Sequence, residues 1–189
     1  MADEPAPTGP TLAVFASERG RGDPERAAIM SQVGAMLARR QARIVCLAEG
    51  DNLPVPLISG ARTSGGQVLL IGDMTVALPP ALASLGIERI EAAEARLARV
   101  AALADGFVGL PGSLHSAASL YRAWVAAGGG PSHKPVVLLN RNRAFEVIRG
   151  LSQDVLSHSV KQFDRMAVFS DNVDDLWNRI AWALGHPVD

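Results

Sequence analysis

Six short apolar runs that alternate with longer helical segments are the feature that most constrains this chain of 189 residues. Each run has the length of a single buried strand, and most are followed by polar residues or glycine. The predicted strands are residues 11–16, 43–47, 67–71, 106–110, 135–139 and 166–170. The spacing of apolar residues predicts helices over residues 24–40, 90–105, 113–127, 143–156 and 172–184, with a weaker helical pattern over 57–64.

This alternation predicts an α/β protein with a doubly wound, mainly parallel sheet and helices on both faces, joined by right-handed crossovers. In such a sheet, ligands bind beyond the carboxyl ends of the strands. Functional residues are therefore expected in the loops that lead from strand to helix. Residues 1–10 are acidic and proline-rich and are expected to form a flexible leader before a single domain at 11–189.

Composition excludes several functional classes. The chain carries 18 basic and 19 acidic residues, so its net charge of −1 creates no broad field that would attract nucleic acid or an anionic membrane. No apolar run reaches the length of about 18 residues that indicates a membrane span. Cys46 is the only cysteine, which excludes an internal disulfide and a thiolate zinc site and is typical of a reducing compartment. We therefore expect a cytoplasmic protein without membrane or nucleic-acid partners.

The sequence ADGFVGLPGS at residues 104–113 has the pattern of an anion-binding turn, in which a buried strand runs into a tight turn and then a helix. Backbone N–H groups converge at such a turn with the positive end of the helix dipole. Pro111, Gly112 and Ser113 form the turn itself. A phosphate could bind there without a lysine.

Together with KPVVLLN at residues 134–140, this block resembles the lonely-guy (LOG) family, the cytokinin-activating phosphoribohydrolases often labelled lysine decarboxylases. The resemblance extends over roughly residues 11–184. It implies a Rossmann-like homodimer that binds a nucleoside 5′-monophosphate and hydrolyses its N-glycosidic bond, which releases the free base and ribose 5-phosphate. It implies no metal and no redox cofactor.

The family signature Pro-Gly-Gly-x-Gly-Thr-x-x-Glu corresponds here to PGSLHSAAS at residues 111–119. Ser116 keeps a hydroxyl, His115 replaces a glycine, and Ser119 stands where the family has its catalytic glutamate. A carboxylate stabilises the positive charge that develops on ribose during cleavage. Because loss of a general acid or base typically costs about 10²–10⁴-fold in rate, the resemblance predicts a weak or inactive hydrolase.

Two further family motifs are altered. The glycine-rich loop after the second strand is replaced by residues 47–55, where Glu49 and Asp51 would repel a phosphate but could hydrogen-bond a ribose hydroxyl or a neutral base. The family's Gly-Ser-Ser after the first strand becomes SER at residues 17–19. The family's Arg-Lys motif survives as Arg96, which could pair with a phosphate or ribose oxygen if its helix turns that face to the crevice.

Each candidate has a structural alternative. His115 could donate to an anion or act as a general acid, but it could also be an ordinary residue of a first helical turn. Arg96 could equally belong to a solvated helix face with Glu91, Glu94 and Arg99. Ser119 is interpreted as an inert helix residue rather than a nucleophile, because no activating histidine and acid can be assigned.

The predicted site has no metal, and its candidate catalytic residues are Arg96 and His115. Its predicted ligand-binding residues are Pro111, Gly112, Ser113, His115, Ser116, Arg96 and Ser17. The sequence favours a binding protein for a nucleotide or another phosphate-bearing ligand. An active phosphoribohydrolase, and a cofactor carrier or protein-interaction scaffold, remain alternatives. A homodimer is expected, with the helix after the turn as a candidate surface through Leu120, Tyr121 and Trp124.

Overall fold

A computed structural model describes residues 9–17, 23–49, 52–128, 134–150, 154 and 166–185. Its strands are β1 (Thr11–Phe15), β2 (Arg43–Ala48), β3 (Val68–Gly72), β4 (Ile87–Arg89), β5 (Gly106–Gly109), β6 (Val136–Leu139) and β7 (Ala167–Ser170). Its longer helices are α1 (Pro24–Arg39), α2 (Val55–Thr63), α3 (Ala93–Leu103), α4 (Leu114–Ala127) and α5 (Val173–Leu184). Short 3₁₀ turns lie at Pro80–Leu82 and Arg141–Arg143, and residues 146–150 are helical.

The seven strands of the described chain form one sheet in the order β4-β3-β2-β1-β5-β6-β7. Every neighbouring pair is parallel. The direction in which strands are added reverses at β1, which lies between β2 and β5. The predicted doubly wound α/β architecture is therefore confirmed.

Helices cover both faces of the sheet. On one face, side chains such as Ile44 and Cys46 pack with α1, α2 and α5. Alternate residues such as Val45 and Phe107 point to the other face and pack with α3 and α4. Because both faces are buried, the strands are apolar at nearly every position, and that is why the sequence shows them as continuous apolar runs. Within the described residues, no helix is long and apolar enough to cross a membrane.

The structure differs from the predictions at one additional strand and at one helix boundary. β4 was not predicted, because three residues at a sheet edge are too short to show a periodic pattern. The predicted start of a helix at residue 90 is wrong: the Ile90 amide donates to the carbonyl of Gly72 and continues the sheet, and α3 begins at Ala93.

Two predicted segments extend past the described residues. Residues 1–8 of the predicted leader lie outside them, whereas the Pro10 carbonyl already accepts a hydrogen bond from Arg43. Of the predicted helix 143–156, residues 151–153 and 155–156 also lie outside the described residues.

A close crossing of α1 and α2 fixes the first half of the domain. A Cβ added to Gly34 would overlap the carbonyl oxygen of Leu57, and one added to Gly60 would overlap the carbonyl oxygen of Ser31. The two backbones are therefore in direct contact. Each helix presents a glycine at the crossing because any side chain there would push the helices apart.

We expect Gly34→Ala to lower the free energy of unfolding by about 1–3 kcal/mol or more, as overpacking of a tight contact does. The measurement is chemical denaturation. Gly86→Ala is the matched control, because a Cβ at Gly86 meets no atom within 4 Å. Equal stability of the two variants would contradict the backbone contact between the helices.

Cys46 is fully buried in β2, and this burial raises the pKa of its thiol from 9.0 to about 12. The native thiol should therefore resist a thiol reagent at pH 8 and react fully in denaturant. Because the pKa is raised on folding, this thiol contributes no pH dependence to stability below about pH 9 and lowers stability as pH rises from about 9 towards 12. Rapid labelling of the native protein at pH 8 would contradict this burial.

Candidate functional site

The carboxyl ends of β1, β2 and β5 meet where the strand order reverses. Ser17 follows β1, Glu49 and Asn52 follow β2, and the turn at Pro111 and Gly112 follows β5. In a doubly wound sheet this position is the usual ligand crevice. The structure therefore places the sequence-predicted residues in one region.

The turn after β5 enters α4 through a capping box. Ser113 is the N-cap, and its Oγ accepts a hydrogen bond from the Ser116 amide at 3.2 Å. The Ser116 hydroxyl accepts from the Ser113 amide at 3.1 Å and donates to the Ser113 carbonyl at 2.8 Å. Both hydroxyls therefore stabilise the helix start, and the cap occupies the Ser116 amide, whereas the amides of Leu114 and His115 have no acceptor inside the helix and can serve an anion.

Gly112 lies against the loop that follows β1. A Cβ on Gly112 would lie 2.7 Å from the Ser116 hydroxyl and 3.2 Å from the Ser17 amide nitrogen. Ser17 is fully buried, and its hydroxyl donates to the Asn52 side-chain oxygen at 3.0 Å. The three loops are thus packed against one another, and glycine is the residue that allows the β5 turn this close to Ser17.

Arg96 is buried, with 6% of its surface exposed, although it lies on α3. One terminal nitrogen donates to the backbone carbonyls of Ile90 and Glu91 just before the helix, and the other donates to the Glu49 carboxylate at 3.2 Å. Its Nε is buried and has no hydrogen-bond partner in the described structure.

The solvated, salt-bridged helix face is formed by neighbouring residues rather than by Arg96. Arg99 pairs with Glu88 at 2.9 Å, and Glu94 pairs with Arg122 on α4. The interpretation of Arg96 as a surface residue of this face is therefore wrong. Its guanidinium is turned to the loop after β2.

Glu49 is the site residue whose partners the sequence did not reveal. Its carboxylate lies between Arg96 and the His115 imidazole, whose Nε2 is 2.8 Å from the other carboxylate oxygen. The Glu49 side chain is 20% exposed and that of His115 is 45% exposed. The sequence indicated that Glu49 would repel a phosphate but could hydrogen-bond a ribose hydroxyl or a neutral base. The missed signal is its position, directly after the second strand of a doubly wound sheet.

The other predicted residues are placed as follows. Ser119 is buried in α4, so a neutral hydroxyl occupies the position of the family glutamate. Glu18, Arg19 and Asp51 lie outside the described residues.

We expect Glu49→Ala to lower the free energy of unfolding by about 2 kcal/mol, because it leaves the buried Arg96 charge without its counter-charge. Arg96→Met in the same chain should recover much of this loss, since it removes the unpaired charge and keeps the volume. A double-mutant cycle by chemical denaturation measures the coupling. Glu88→Ala is the control, because its exposed pair with Arg99 should contribute less than about 1 kcal/mol. Additive effects of the two site substitutions would contradict a coupled pair.

No family model matches the chain. It is 30% identical over 144 residues to the cytokinin riboside 5′-monophosphate phosphoribohydrolase of Rhodococcoides fascians, a match that covers 74% of this chain and 72% of that protein. The molybdenum cofactor carrier protein of Chlamydomonas reinhardtii superposes with a TM-score of 0.67 at 15% identity, covering 93% and 98% of the two chains. The molybdenum cofactor binding protein of Rippkaea orientalis gives a TM-score of 0.62 at 17% identity, covering 92% and 96%. At these identities the two solved structures show a shared fold.

Proposed function

Because the chain belongs to the lonely-guy (LOG) family of cytokinin riboside 5′-monophosphate phosphoribohydrolases, we propose that it binds a phosphate-bearing ligand of the nucleoside 5′-monophosphate class and that its hydrolase activity is weak or lost. The ligand lies in the crevice at the carboxyl ends of β1, β2 and β5. Its phosphate end lies at Gly112 and the start of α4. Its ribose end lies towards Glu49 and Arg96.

The close approach of Gly112 to Ser17 is the observation that carries the binding proposal. A Cβ on Gly112 would lie 2.7 Å from the Ser116 hydroxyl and 3.2 Å from the Ser17 amide nitrogen, so it would fit only if these neighbours shifted, and with glycine the backbone itself lines this part of the crevice. The N–H groups at the start of α4 add the positive end of a helix of 14 residues. Backbone donors beside a helix N-terminus bind phosphate without a lysine.

Weak hydrolysis is proposed from the identity of residue 119. Cleavage of an N-glycosidic bond develops positive charge on the ribose, which a carboxylate stabilises. Ser119 supplies no charge, and its burial in α4 leaves it little contact with solvent or ligand. A serine at this position can neither stabilise the developing charge nor activate water well.

We expect isothermal titration calorimetry to show that AMP binds and that adenosine binds at least about tenfold more weakly, since adenosine lacks the charged group that the helix terminus stabilises. Gly112→Ala should weaken AMP binding, because its methyl group enters the space between Ser116 and Ser17. Gly86→Ala is the control for the same substitution in open space. Absence of binding by AMP and by every other phosphate-bearing ligand tested would refute the proposal.

A second candidate function is an active phosphoribohydrolase with a rearranged site. The observation that favours it is the ion pair between Glu49 and Arg96, which places a carboxylate at the crevice although residue 119 is a serine. In this case Glu49 would stabilise the charge on ribose, and His115 would be its neighbouring proton donor or acceptor.

The release of adenine from AMP distinguishes the two candidates. We expect turnover at least about 10²-fold below that of the Rhodococcoides fascians relative, in line with the loss of one acid–base group. Chromatographic detection of the free base measures it. Turnover comparable to that of the relative, lost in Glu49→Gln and retained in Glu88→Gln, would establish the active enzyme instead.

A further inference from the structure

The Glu49 carboxylate keeps acceptor capacity that none of the described residues uses. One oxygen receives Arg96 at 3.2 Å and the other receives His115 at 2.8 Å. An ionised carboxylate has about four lone-pair positions, so roughly half of them remain for a ligand. The side chain is 20% exposed, which leaves these positions within reach of a molecule in the crevice.

The surroundings of Glu49 fix the orientation of this carboxylate. Arg96 is held by two backbone carbonyls as well as by Glu49, and it is more than nine-tenths buried. Its Nε has no partner in the described part of the chain, so the guanidinium is not fully satisfied by these contacts. Glu49 is further held by the backbone bridge of its own amide and carbonyl to Asn52. A carboxylate anchored at both oxygens and at its backbone is preorganised for recognition.

The charge balance indicates what kind of group this carboxylate would receive. The ion pair with Arg96 neutralises Glu49, so a cationic ligand would gain little binding energy from it, and an ionised carboxylate offers no hydrogen-bond donor to a phosphate. Neutral hydroxyl groups remain, because they donate hydrogen bonds without altering the balance of charge. Two free acceptor positions fit two neighbouring hydroxyls of one sugar.

The position of Glu49 in the sheet agrees with this chemistry. It follows β2 directly, and β2 is the neighbour of β1 on one side of the crevice. In doubly wound nucleotide-binding domains, an acidic residue further along from the phosphate turn hydrogen-bonds the ribose 2′-hydroxyl. In this chain the proposed phosphate turn follows β5 rather than β1, and the contact with His115 places Glu49 beside the start of α4, next to the proposed phosphate end of the crevice.

We propose that Glu49 accepts hydrogen bonds from the vicinal hydroxyls of a ribose and makes the crevice selective for ribose phosphates over 2-deoxyribose phosphates. Arg96 and His115 are positioning residues that hold the two carboxylate oxygens. This inference rests on the proposed function, which places the phosphate of the same ligand at Gly112 and the start of α4.

The test compares ribose 5-phosphate with 2-deoxyribose 5-phosphate by calorimetry on the full-length protein. We expect the deoxy sugar to bind about tenfold more weakly, the loss typical of one hydrogen bond to a charged group. Glu49→Gln should lower the affinity for ribose 5-phosphate towards that for the deoxy sugar and leave the deoxy affinity nearly unchanged. Glu88→Gln, the same substitution in the exposed pair with Arg99, should change neither affinity.

A second variant removes the carboxylate without leaving a buried unpaired charge. Glu49→Ala combined with Arg96→Met should likewise abolish the preference for ribose, and its melting temperature shows whether it is folded. The comparison of the two sugars on the unmodified protein does not depend on any variant.

Each outcome decides between the two proposals. Equal binding of the two sugars, or a ribose preference that survives Glu49→Gln, overturns the role of Glu49 and leaves the phosphate site in place. Failure of both sugars and of AMP to bind overturns the phosphate site and with it the role of Glu49. A preference for ribose that is lost in both Glu49 variants supports the inference.

Discussion

The reversal of strand order at β1 is the constraint on which the site depends. A parallel sheet that is buried on both faces needs helices on both sides, and right-handed crossovers determine the side that each helix takes. Strands added from β1 towards β4 place α1 and α2 on one face. The chain must then return past β1 and continue in the opposite direction to place α3 and α4 on the other face. The loops after β1 and β5 therefore lead to opposite faces, and a crevice opens between them.

The burial of Arg96 determines how the charged groups at this crevice are paired. The Arg96 guanidinium lies too deep to be solvated, so it needs a counter-charge and carbonyl acceptors, and it has both in Glu49 and in the carbonyls that precede α3. Leaving such a charge unpaired costs several kcal/mol, which explains why an acidic residue in the loop after β2 is compatible with the proposed anion-binding turn nearby. The Glu49 carboxylate is paired with Arg96, and this pairing reduces its repulsion of a phosphate.

The sequence allowed most of the fold and part of the site to be predicted. Strands such as β5 are apolar throughout and are bounded by turn residues, and Ser113 with its small neighbours indicated where α4 begins. β4 could not be predicted, because its pairing with β3 depends on the approach of two segments rather than on its own three residues. The contacts of Glu49 with Arg96 and His115 could not be predicted either, since these partners lie 47 and 66 positions away in the chain and only the folded sheet brings them together.

The carboxylate of Glu49 is supported differently from a carboxylate at position 119. At the position of Ser119 a glutamate would be carried by a helix, whereas Glu49 is carried by a loop and is oriented by two side chains from different helices. Both oxygens of Glu49 are already engaged, one by Arg96 and the other by His115, so its carboxylate is held in place as a hydrogen-bond acceptor. It remains an effective acceptor for hydroxyl groups. The contacts around Glu49 therefore support the proposals that it recognises a sugar and that hydrolysis is weak.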